Sequence, residues 1–174
     1  MNKDELRNLI KKAKGEEKLE LVLKNVNLIN VFTKEIIKTN VAIDSGKIVG
    51  IGDYEGVKEE DLEGKYLAPG FIDSHVHIES SMSTPTQFAR AVMPRGVTSV
   101  VTDPHEIANV KGLEGIKYMI EESKRSPLDA YFVFPSCVPA TPFENSGAIL
   151  DAASLEGQID GKDIIGLGEM MDFP

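Results

Sequence analysis

Cysteine is almost absent from this sequence, since Cys137 is the only one in 174 residues. A lone cysteine excludes a disulfide within the chain and any metal site built from several thiolates. It is typical of proteins of a reducing compartment, so we expect a cytoplasmic location. No histidine lies near Cys137 in the sequence to activate it as a nucleophile, and a small, partly buried loop residue is the favoured interpretation.

Positive charge and long apolar runs are also scarce. Lysine and arginine number 19 against 28 aspartates and glutamates, which gives a net charge of −9 and a pI near 4.9. This balance argues against binding to nucleic acid or to an anionic membrane, because both favour a basic surface. The sequence has no apolar run of about 18 residues and no apolar signal-peptide core, so we predict neither a membrane span nor a leader.

The first 17 residues predict an amino-terminal helical extension. Residues 2–14 place Leu6, Leu9 and Ile10 on one face of a helix, and Gly15 can end it. We expect this helix to be solvated and frayed, without a binding role.

Residues 18–66 alternate between apolar and polar positions, which predicts a small antiparallel β unit. The clearest connection between two of its strands is Asp44-Ser45-Gly46-Lys47, a sequence typical of a hairpin turn. The acidic run at 59–61, followed by Glu63 and Gly64, predicts an exposed turn.

From residue 67 onwards, strands and helices alternate at intervals of about 30 residues, which predicts βαβ units and a parallel sheet. The first strand has the continuous apolar character of a strand covered on both faces. Thr84, Pro85 and Gln87 predict a capping box at the first helix, which Gly96 ends. The predicted strands are 67–76, 97–103, 128–136 and 163–170, and later helices are predicted at 113–123 and 148–155.

The predicted fold class is therefore α/β. Four strand–helix units are half of a (β/α)8 TIM-like barrel, which takes about 250 residues. We expect residues 67–174 to be the first half of such a barrel and the chain to be the amino-terminal part of a longer protein.

Polar side chains gather where these predicted strands end, the rim at which barrel enzymes place their active sites. His75 and His77 lie two residues apart, so a strand presents both imidazoles on one face. Two histidines at this spacing, considered without the residues around them, are as often structural as metal-binding. With Glu169 it makes a nitrogen and oxygen donor set that suits Mn, Fe or Zn. Glu169 alone is more simply interpreted as the cap of a following helix.

The run Asp103-Pro104-His105-Glu106 also has two interpretations. Asp at the N-cap, Pro at the first helical position and Glu two residues later form a capping box, and on spacing alone this is favoured over catalysis. A capped helix start at the rim can nevertheless also meet a ligand. His77-Ile78-Glu79 matches half of the zinc base-deaminase signature, but the single cysteine excludes the other half, Pro-Cys-x-x-Cys.

The stretch PGFIDSHVH resembles the first-strand signature of the amidohydrolase superfamily, metal-dependent hydrolases with a distorted (β/α)8 barrel beside a small β-sandwich. The motifs HVHIESSM, VTDPHEIANV, PSCVPATPFE and GLGEMMDFP, in this order, resemble the bacterial adenine deaminase family. The resemblance covers residues 18–174. It implies that residues 18–66 are part of the sandwich. The implied activity converts adenine and water to hypoxanthine and ammonia by metal-activated water, in purine salvage and adenine catabolism.

The resemblance also implies roles for individual residues. His75, His77 and Glu169 correspond to metal ligands, Glu169 bridging two ions, with Mn²⁺ expected and Fe²⁺ as the alternative. Many amidohydrolases use a carboxylated lysine where this sequence has Glu169. Glu169 and His105 are expected to be catalytic. The residues expected to bind the purine are Asp103, Glu106, Ser80 and Ser81.

The family's remaining ligands, two histidines and an aspartate, have no counterpart in this sequence. We therefore expect adenine as the substrate, no turnover by this chain alone, and association as a homo-oligomer or with the missing carboxy-terminal portion. Two other functions stay open: an amidohydrolase acting on a cyclic amide, as hydantoinases and dihydroorotases do, and a non-catalytic structural or interaction module.

Overall fold

A computed structural model describes residues 2–159 and 162–172, so Met1, Phe173 and Pro174, at the ends of the predicted segments, lie outside the described residues. The fold is mixed α/β and divides into two compact units, one ending at Pro69 and the other beginning at Gly70. The helices are α1 Lys3–Ala13, α2 Pro85–Val92, α3 His105–Lys111, α4 Leu113–Ser123 and α5 Ala152–Leu155. The strands are β1 Leu19–Asn30, β2 Glu35–Asp44, β3 Lys47–Ile51, β4 Gly56–Asp61, β5 Tyr66–Leu67, β6 Phe71–Val76, β7 Val97–Thr102, β8 Asp129–Phe134 and β9 Ile164–Leu167.

The first unit is a five-stranded sheet in the order β3-β2-β1-β4, with β5 also pairing with β1. The predicted hairpin is confirmed: β2 ends at Asp44, β3 begins at Lys47, and Ser45 and Gly46 both have the positive φ of a tight hairpin turn. The prediction of a wholly antiparallel unit is wrong, because β4 and β5 pair with β1 in parallel.

The acidic run at 59–61 is exposed as predicted, but it lies in β4 rather than in a turn. The turn comes after it, at Glu63 and Gly64, where both residues have positive φ. Pairing with β1 supplies the hydrogen bonds that hold these acidic residues in a strand, which their own weak strand preference does not predict.

Helix α1 has no buried residue, as expected of a solvated helix, yet it is not frayed at its carboxyl end. Lys12 Nζ lies 2.6 Å from Asp44 Oδ2, and the Asp44 carboxylate is 1% exposed. Tyr54 Oη donates to the carbonyl of Ala13 at 3.0 Å. These two contacts hold the last turn of α1 to its own unit.

The attachment of α1 is expected to depend on pH. Burial tends to raise the pKa of Asp44, but hydrogen bonds from Lys12, Ser45 and the Glu20 amide outweigh it and lower that pKa. The hydrogen bond to Asp44 correspondingly raises the pKa of Lys12. The pair therefore stabilises the fold between about pH 4 and about pH 10, and its contribution is lost as the pH falls through the depressed carboxyl pKa or rises through the elevated lysine pKa.

NMR shifts of the α1 amides, followed from about pH 7 to about pH 2, measure this transition. Asp44→Asn should give the acid-type spectrum already at neutral pH, whereas Asp129→Asn, at an exposed site of β8, should not. An α1 spectrum that stays unchanged across the titration would refute the role of the pair.

The second unit is a parallel sheet in the order β6-β7-β8-β9, and this arrangement is confirmed. The predicted strand at 67–76 is divided, because residues 66–67 pair with β1 and only Phe71–Val76 joins the parallel sheet. The prediction that this strand is covered on both faces is wrong for the described residues: Phe71 and Ile72 are 64% and 68% exposed. Strand β6 lies at the sheet edge, where no described element packs over these side chains.

The helices follow the sequence patterns, with two corrections. Helix α4 has the predicted bounds, and α2 begins at Pro85 after Thr84, but the Thr84 side chain makes no capping hydrogen bond to the helix, so the capping box is not formed. Helix α5 is shorter than the predicted 148–155 and begins only after Asp151, whose side chain accepts from the Ser154 amide. No helix among residues 2–159 and 162–172 has the length and apolar content to cross a bilayer.

The core of the second unit lies between the sheet and the helices α3 and α4. Phe132 and Phe134 of β8 are 1% and 0% exposed and pack with Ile78, Ile116 and Ile164. This apolar layer fixes the strands relative to one another, so the side chains just beyond their carboxyl ends are held on a rigid support.

Candidate metal centre

The two histidines of the His-x-His motif lie side by side at the end of β6. His75 is in the strand and His77 follows it directly, and their Nε2 atoms are 3.0 Å apart. The rings meet edge to face with centroids 4.8 Å apart. The extended backbone therefore points both imidazoles to one place, as the spacing predicted.

A hydrogen bond fixes the form of His77. Its Nδ1 lies 2.8 Å from the carbonyl oxygen of Asp103, and because a carbonyl only accepts, Nδ1 carries the hydrogen. In the neutral imidazole, Nε2 then has a free lone pair, directed at the space it shares with His75. A metal-ligating histidine typically has its second ring nitrogen held in this way by a carbonyl or carboxylate.

Glu169 completes this group of donors, although it lies in a loop more than 90 residues further along the chain. Its Oε2 is 3.5 Å from His75 Nε2, and its Oε1 is 3.6 Å from His77 Nε2. One ligand atom from each of the three residues lies within 4.8 Å of the other two. The described residues 168–172 have no regular secondary structure.

The residues fit a divalent cation on two observations. The donor set of His75, His77 and Glu169 offers imidazole nitrogen and carboxylate oxygen, the ligands of Mn²⁺, Fe²⁺ and Zn²⁺. Several polar atoms at the same strand ends are buried without a hydrogen-bond partner among the described residues: Thr102 Oγ1, Asp103 Oδ1, His105 Nδ1 and Glu106 Oε2. Buried polar atoms are normally satisfied, and an ion or bound ligand is one way of satisfying them.

Asp103 is fully buried at the end of β7. The favoured capping interpretation of this residue is wrong: the N-cap position of α3 is Pro104, and the structure shows no side-chain cap there. The carboxylate instead accepts the backbone N–H of Glu169 at 3.0 Å. The two residues are 66 positions apart in the sequence. The local sequence pattern therefore does not reveal that the Glu169 N–H, and not the helix, donates to this carboxylate. Burial raises the pKa of Asp103, and the hydrogen bond from Glu169 opposes that rise.

His105, the first residue of α3, lies against this group. Its Nδ1 is 3.7 Å from Asp103 Oδ1 and 3.6 Å from Glu169 Oε1. Its ring centroid is 4.5 Å from that of His77. The three histidines of the sequence are therefore together at one end of the sheet.

Among the predicted substrate residues, Ser80 and Glu106 pair with each other, whereas Ser81 does not join them. Ser80 donates to Glu106 Oε1 at 2.5 Å, and Glu106 Oε2 lies 3.5 Å from His77 Nδ1, so this pair borders the histidines. Ser81 instead donates to the carbonyl of Ile78 at 2.6 Å and meets the Ser83 hydroxyl at 2.7 Å. The Ser81 hydroxyl therefore forms hydrogen bonds within and beside the short 3₁₀ turn over residues 79–81, whereas the Ser80 hydroxyl faces the site.

Glu79 is a member of the site that was not assigned a role from the sequence. One oxygen accepts the Ile107 amide at 3.3 Å, and the other is buried without a partner among the described residues. Burial raises the pKa of Glu79, and the nearby charge of Glu106 adds to the effect. The signal that marks this residue is its place two positions after His77, on the turn that carries Ser80.

Cys137 is buried in the loop after β8, as expected for a small loop residue. Its Sγ lies 3.3 Å from Ser136 Oγ and 3.7 Å from Met170 Sδ. The hydrogen bond from Ser136 lowers the pKa of Cys137. These residues line a cleft of about 630 Å³ with the loop 138–150, and none of the histidines lines it. The cleft therefore neighbours the metal donors without containing them.

Comparison with known proteins agrees with this geometry. The family described as "Amidohydrolase family" matches residues 66–171. An adenine deaminase of Clostridium acetobutylicum is 59% identical over 165 residues, which is 95% of this chain and 29% of the relative. One from Geobacillus kaustophilus is 54% identical over 97% of this chain and 29% of the relative. The chain thus spans about 30% of the length of the curated relatives it matches.

A solved structure shows the same fold at low identity. A mutant of atrazine chlorohydrolase from Arthrobacter aurescens TC1, complexed with zinc and atraton, aligns with a TM-score of 0.56 and 18% identity, over 76% of this chain and 38% of that one. This likeness supports the arrangement of strands and helices.

Proposed function

The chain belongs to the amidohydrolase family, and on that premise we propose that it supplies the first third of an adenine deaminase, an enzyme that converts adenine and water to hypoxanthine and ammonia. The observation that carries the proposal is the convergence of His75, His77 and Glu169 at the strand ends of a chain 59% identical to a protein named adenine deaminase. Many hydrolases belong to the amidohydrolase family and share this kind of metal donor set. The proposal of adenine as the substrate therefore rests on the sequence identity to relatives named adenine deaminase.

The fold supports a separate assignment for each of the two units. We propose that residues 67–174 form the first half of the (β/α)8 barrel, because β6 to β9 are four neighbouring parallel strands with helices between them. Residues 18–66 are proposed to form part of the small β-sandwich domain, preceded by the helical extension 1–17. The site residues then lie on the carboxyl-end rim of the barrel, where such enzymes act.

We propose that His75, His77 and Glu169 hold the metal, Mn²⁺ or alternatively Fe²⁺, in a site whose other ligands come from further along the protein. A bound divalent ion lowers the pKa of water and so supplies a nucleophile at neutral pH. The chain's own contribution is a rigid arrangement of these donors, set by the strand ends and by the hydrogen bond that fixes His77 Nδ1.

The remaining residues are proposed to bind the purine and move protons. Glu106 Oε1 is engaged by the Ser80 hydroxyl, which leaves Oε2 to accept an N–H of the purine ring. Glu169 and His105, 3.6 Å apart, are positioned to take a proton from water and return it to the departing amine. In this reaction a C–O bond forms at C6 of adenine and the C6–N bond breaks. The proton taken from water leaves with ammonia. Asp103 and Ser81 complete the proposed substrate group.

We propose that the chain associates, either with further copies or with the carboxy-terminal portion of the protein. The outer edges of β6 and β9 have no strand partner among the described residues, and Phe71 and Ile72 are exposed on β6. Open edges of this kind promote association. A cytoplasmic location remains part of the proposal, based on the single cysteine.

The test compares the 174-residue chain with the protein extended to the length of its relatives. The extended protein loaded with Mn²⁺ should convert adenine to hypoxanthine, followed by absorbance, and should not hydrolyse hydantoin or dihydroorotate. The short chain should show no turnover and should associate with rising concentration in light scattering. Hydrolysis of a cyclic amide without adenine turnover would assign a different amidohydrolase, and inactivity of the Mn²⁺-loaded extended protein on every substrate would favour a structural module.

A further inference from the structure

We infer that Asp103 and Gly168 form a positioning pair that sets Glu169 and His77 in place for the metal. The inference rests on the proposed metal site and refines it, because it gives Asp103 a task other than contact with the purine. Asp103 follows β7 and makes hydrogen bonds to residues at the ends of two other strands, β6 and β9. Gly168 allows the hydrogen bond at the end of β9.

The side chain of Asp103 makes the first link. It is 0% exposed, and its Oδ2 accepts the backbone N–H of Glu169 at 3.0 Å. In the low dielectric of a buried site, a hydrogen bond of this kind is electrostatically stronger than in water. The bond therefore fixes the backbone that carries the Glu169 carboxylate toward His75 and His77.

The backbone of Asp103 makes the other two links. Its carbonyl accepts from His77 Nδ1 at 2.8 Å, and its N–H donates to the carbonyl of Val76 at 3.1 Å. The first bond decides which nitrogen of His77 has the lone pair, and the second holds the end of β6 against the end of β7. Asp103 thus governs both the tautomer of one donor and the position of another.

Gly168 makes room for this carboxylate. A Cβ added at Gly168 would lie 2.1 Å from Asp103 Oδ2 and 2.8 Å from Asp103 Cγ, well inside contact distance. The N–H of Gly168 also donates to the carbonyl of Phe134 at 2.7 Å, so the backbone of this glycine is held to β8 and has little freedom to retreat. Only glycine lets the Asp103 carboxylate reach the Glu169 amide here.

Residues that support metal ligands typically change metal affinity about 10- to 100-fold when they are removed. Asp103→Ala is therefore expected to weaken Mn²⁺ binding to this chain by about 10- to 100-fold, measured by isothermal titration with Mn²⁺ alone and no adenine. Asp103→Asn keeps an oxygen that can accept the Glu169 N–H and should stay within about 10-fold of the original affinity. This rescue separates positioning from a role that needs the charge itself.

A double-mutant cycle tests the role of Gly168. Gly168→Ala should weaken Mn²⁺ binding although it removes no donor atom. The double variant of Asp103→Ala with Gly168→Ala should bind no worse than Asp103→Ala alone, because the alanine at 103 lacks the two carboxyl atoms that come closest to the new Cβ. The contact that remains, with the Phe134 carbonyl oxygen at 3.1 Å, needs a shift of only a few tenths of an ångström. Far-UV circular dichroism and the thermal midpoint establish that each variant is folded. If Asp103→Ala does not fold, Asp103→Asn takes its place in the cycle.

The inference would be overturned by unchanged Mn²⁺ affinity in Asp103→Ala, or by equal losses in Asp103→Ala and Asp103→Asn, which would make Asp103 a direct ligand. Additive losses in the double variant would remove Gly168 from the pair. Absence of Mn²⁺ binding by both the 174-residue chain and the extended protein would overturn the inference together with the metal site. If the predicted pattern of Mn²⁺ affinities holds while the extended protein does not deaminate adenine, the positioning pair is supported and only the proposed substrate is wrong.

Discussion

Replacing Glu169 with glutamine is expected to weaken Mn²⁺ binding to this chain by about 100-fold or more, because a direct ligand contributes at least as much as the residues that support it. The change removes the negative charge and one of the two oxygens that face the histidines. Those oxygens lie 3.5 Å from His75 Nε2 and 3.6 Å from His77 Nε2, and no other carboxylate among the described residues faces both nitrogens. In the extended protein the same substitution should abolish most of the turnover.

The matched control is Glu35→Gln, which makes the same chemical change at an exposed position of β2 in the other unit. It should leave Mn²⁺ affinity unchanged. The measurement is isothermal titration of the chain with Mn²⁺, supported by the metal content after dialysis. Glu169→Gln protein that retains its full metal content and affinity would show that Glu169 is not a ligand, and the site would then have to be sought among His77, His105 and Glu106.

Replacing Phe134 with alanine is expected to destabilise the second unit by about 3–5 kcal/mol, the usual cost of removing a buried aromatic ring. Phe134 is 0% exposed and belongs to the cluster that joins β8 to Ile78, Ile116 and Ile164. The residue also lies one contact away from the site, because its carbonyl accepts the Gly168 N–H at 2.7 Å. Loss of the ring should therefore loosen the support of Glu169 as well as the core.

Phe143→Ala provides the control, since Phe143 is 94% exposed and the same truncation there should change stability by no more than about 0.5 kcal/mol. Urea unfolding followed by circular dichroism compares the two variants on one scale. A cost of less than about 1 kcal/mol for Phe134→Ala would mean that the site collapses around the missing ring, and the core would be less rigid than the packing implies.

The elements that the sequence predicted well are those whose signals are local. Helix α4 has a clear apolar face and matches its predicted bounds, and the turn after Asp44 follows from the need for positive φ at Ser45 and Gly46. The four parallel strands follow from the regular alternation of strand and helix. The paired histidines follow from the two-residue period of a strand, so two of the three candidate metal donors were accessible from spacing alone.

The features that the sequence did not predict depend on contacts between distant residues. Asp103 has the local pattern of a helix cap, but the fold brings the N–H of Glu169 to within 3.0 Å of its buried carboxylate, which accepts that hydrogen bond instead. Glu169 itself shows no periodic signal, and only the pairing of β8 with β9 brings it to the histidines. The exposure of β6 likewise follows from its position at the sheet edge, whereas its composition is that of a covered strand.

The order of the site residues along the chain also has a consequence for when the candidate metal donors come together during synthesis. The two imidazoles leave the ribosome first, and Glu169 follows about 90 residues later. At translation rates of about 5–20 residues per second, the carboxylate arrives about 5–20 s after the histidines. During that interval His75 and His77 lack the carboxylate whose two oxygens face their Nε2 atoms. The donor group of His75, His77 and Glu169 therefore assembles only once β9 has joined the sheet.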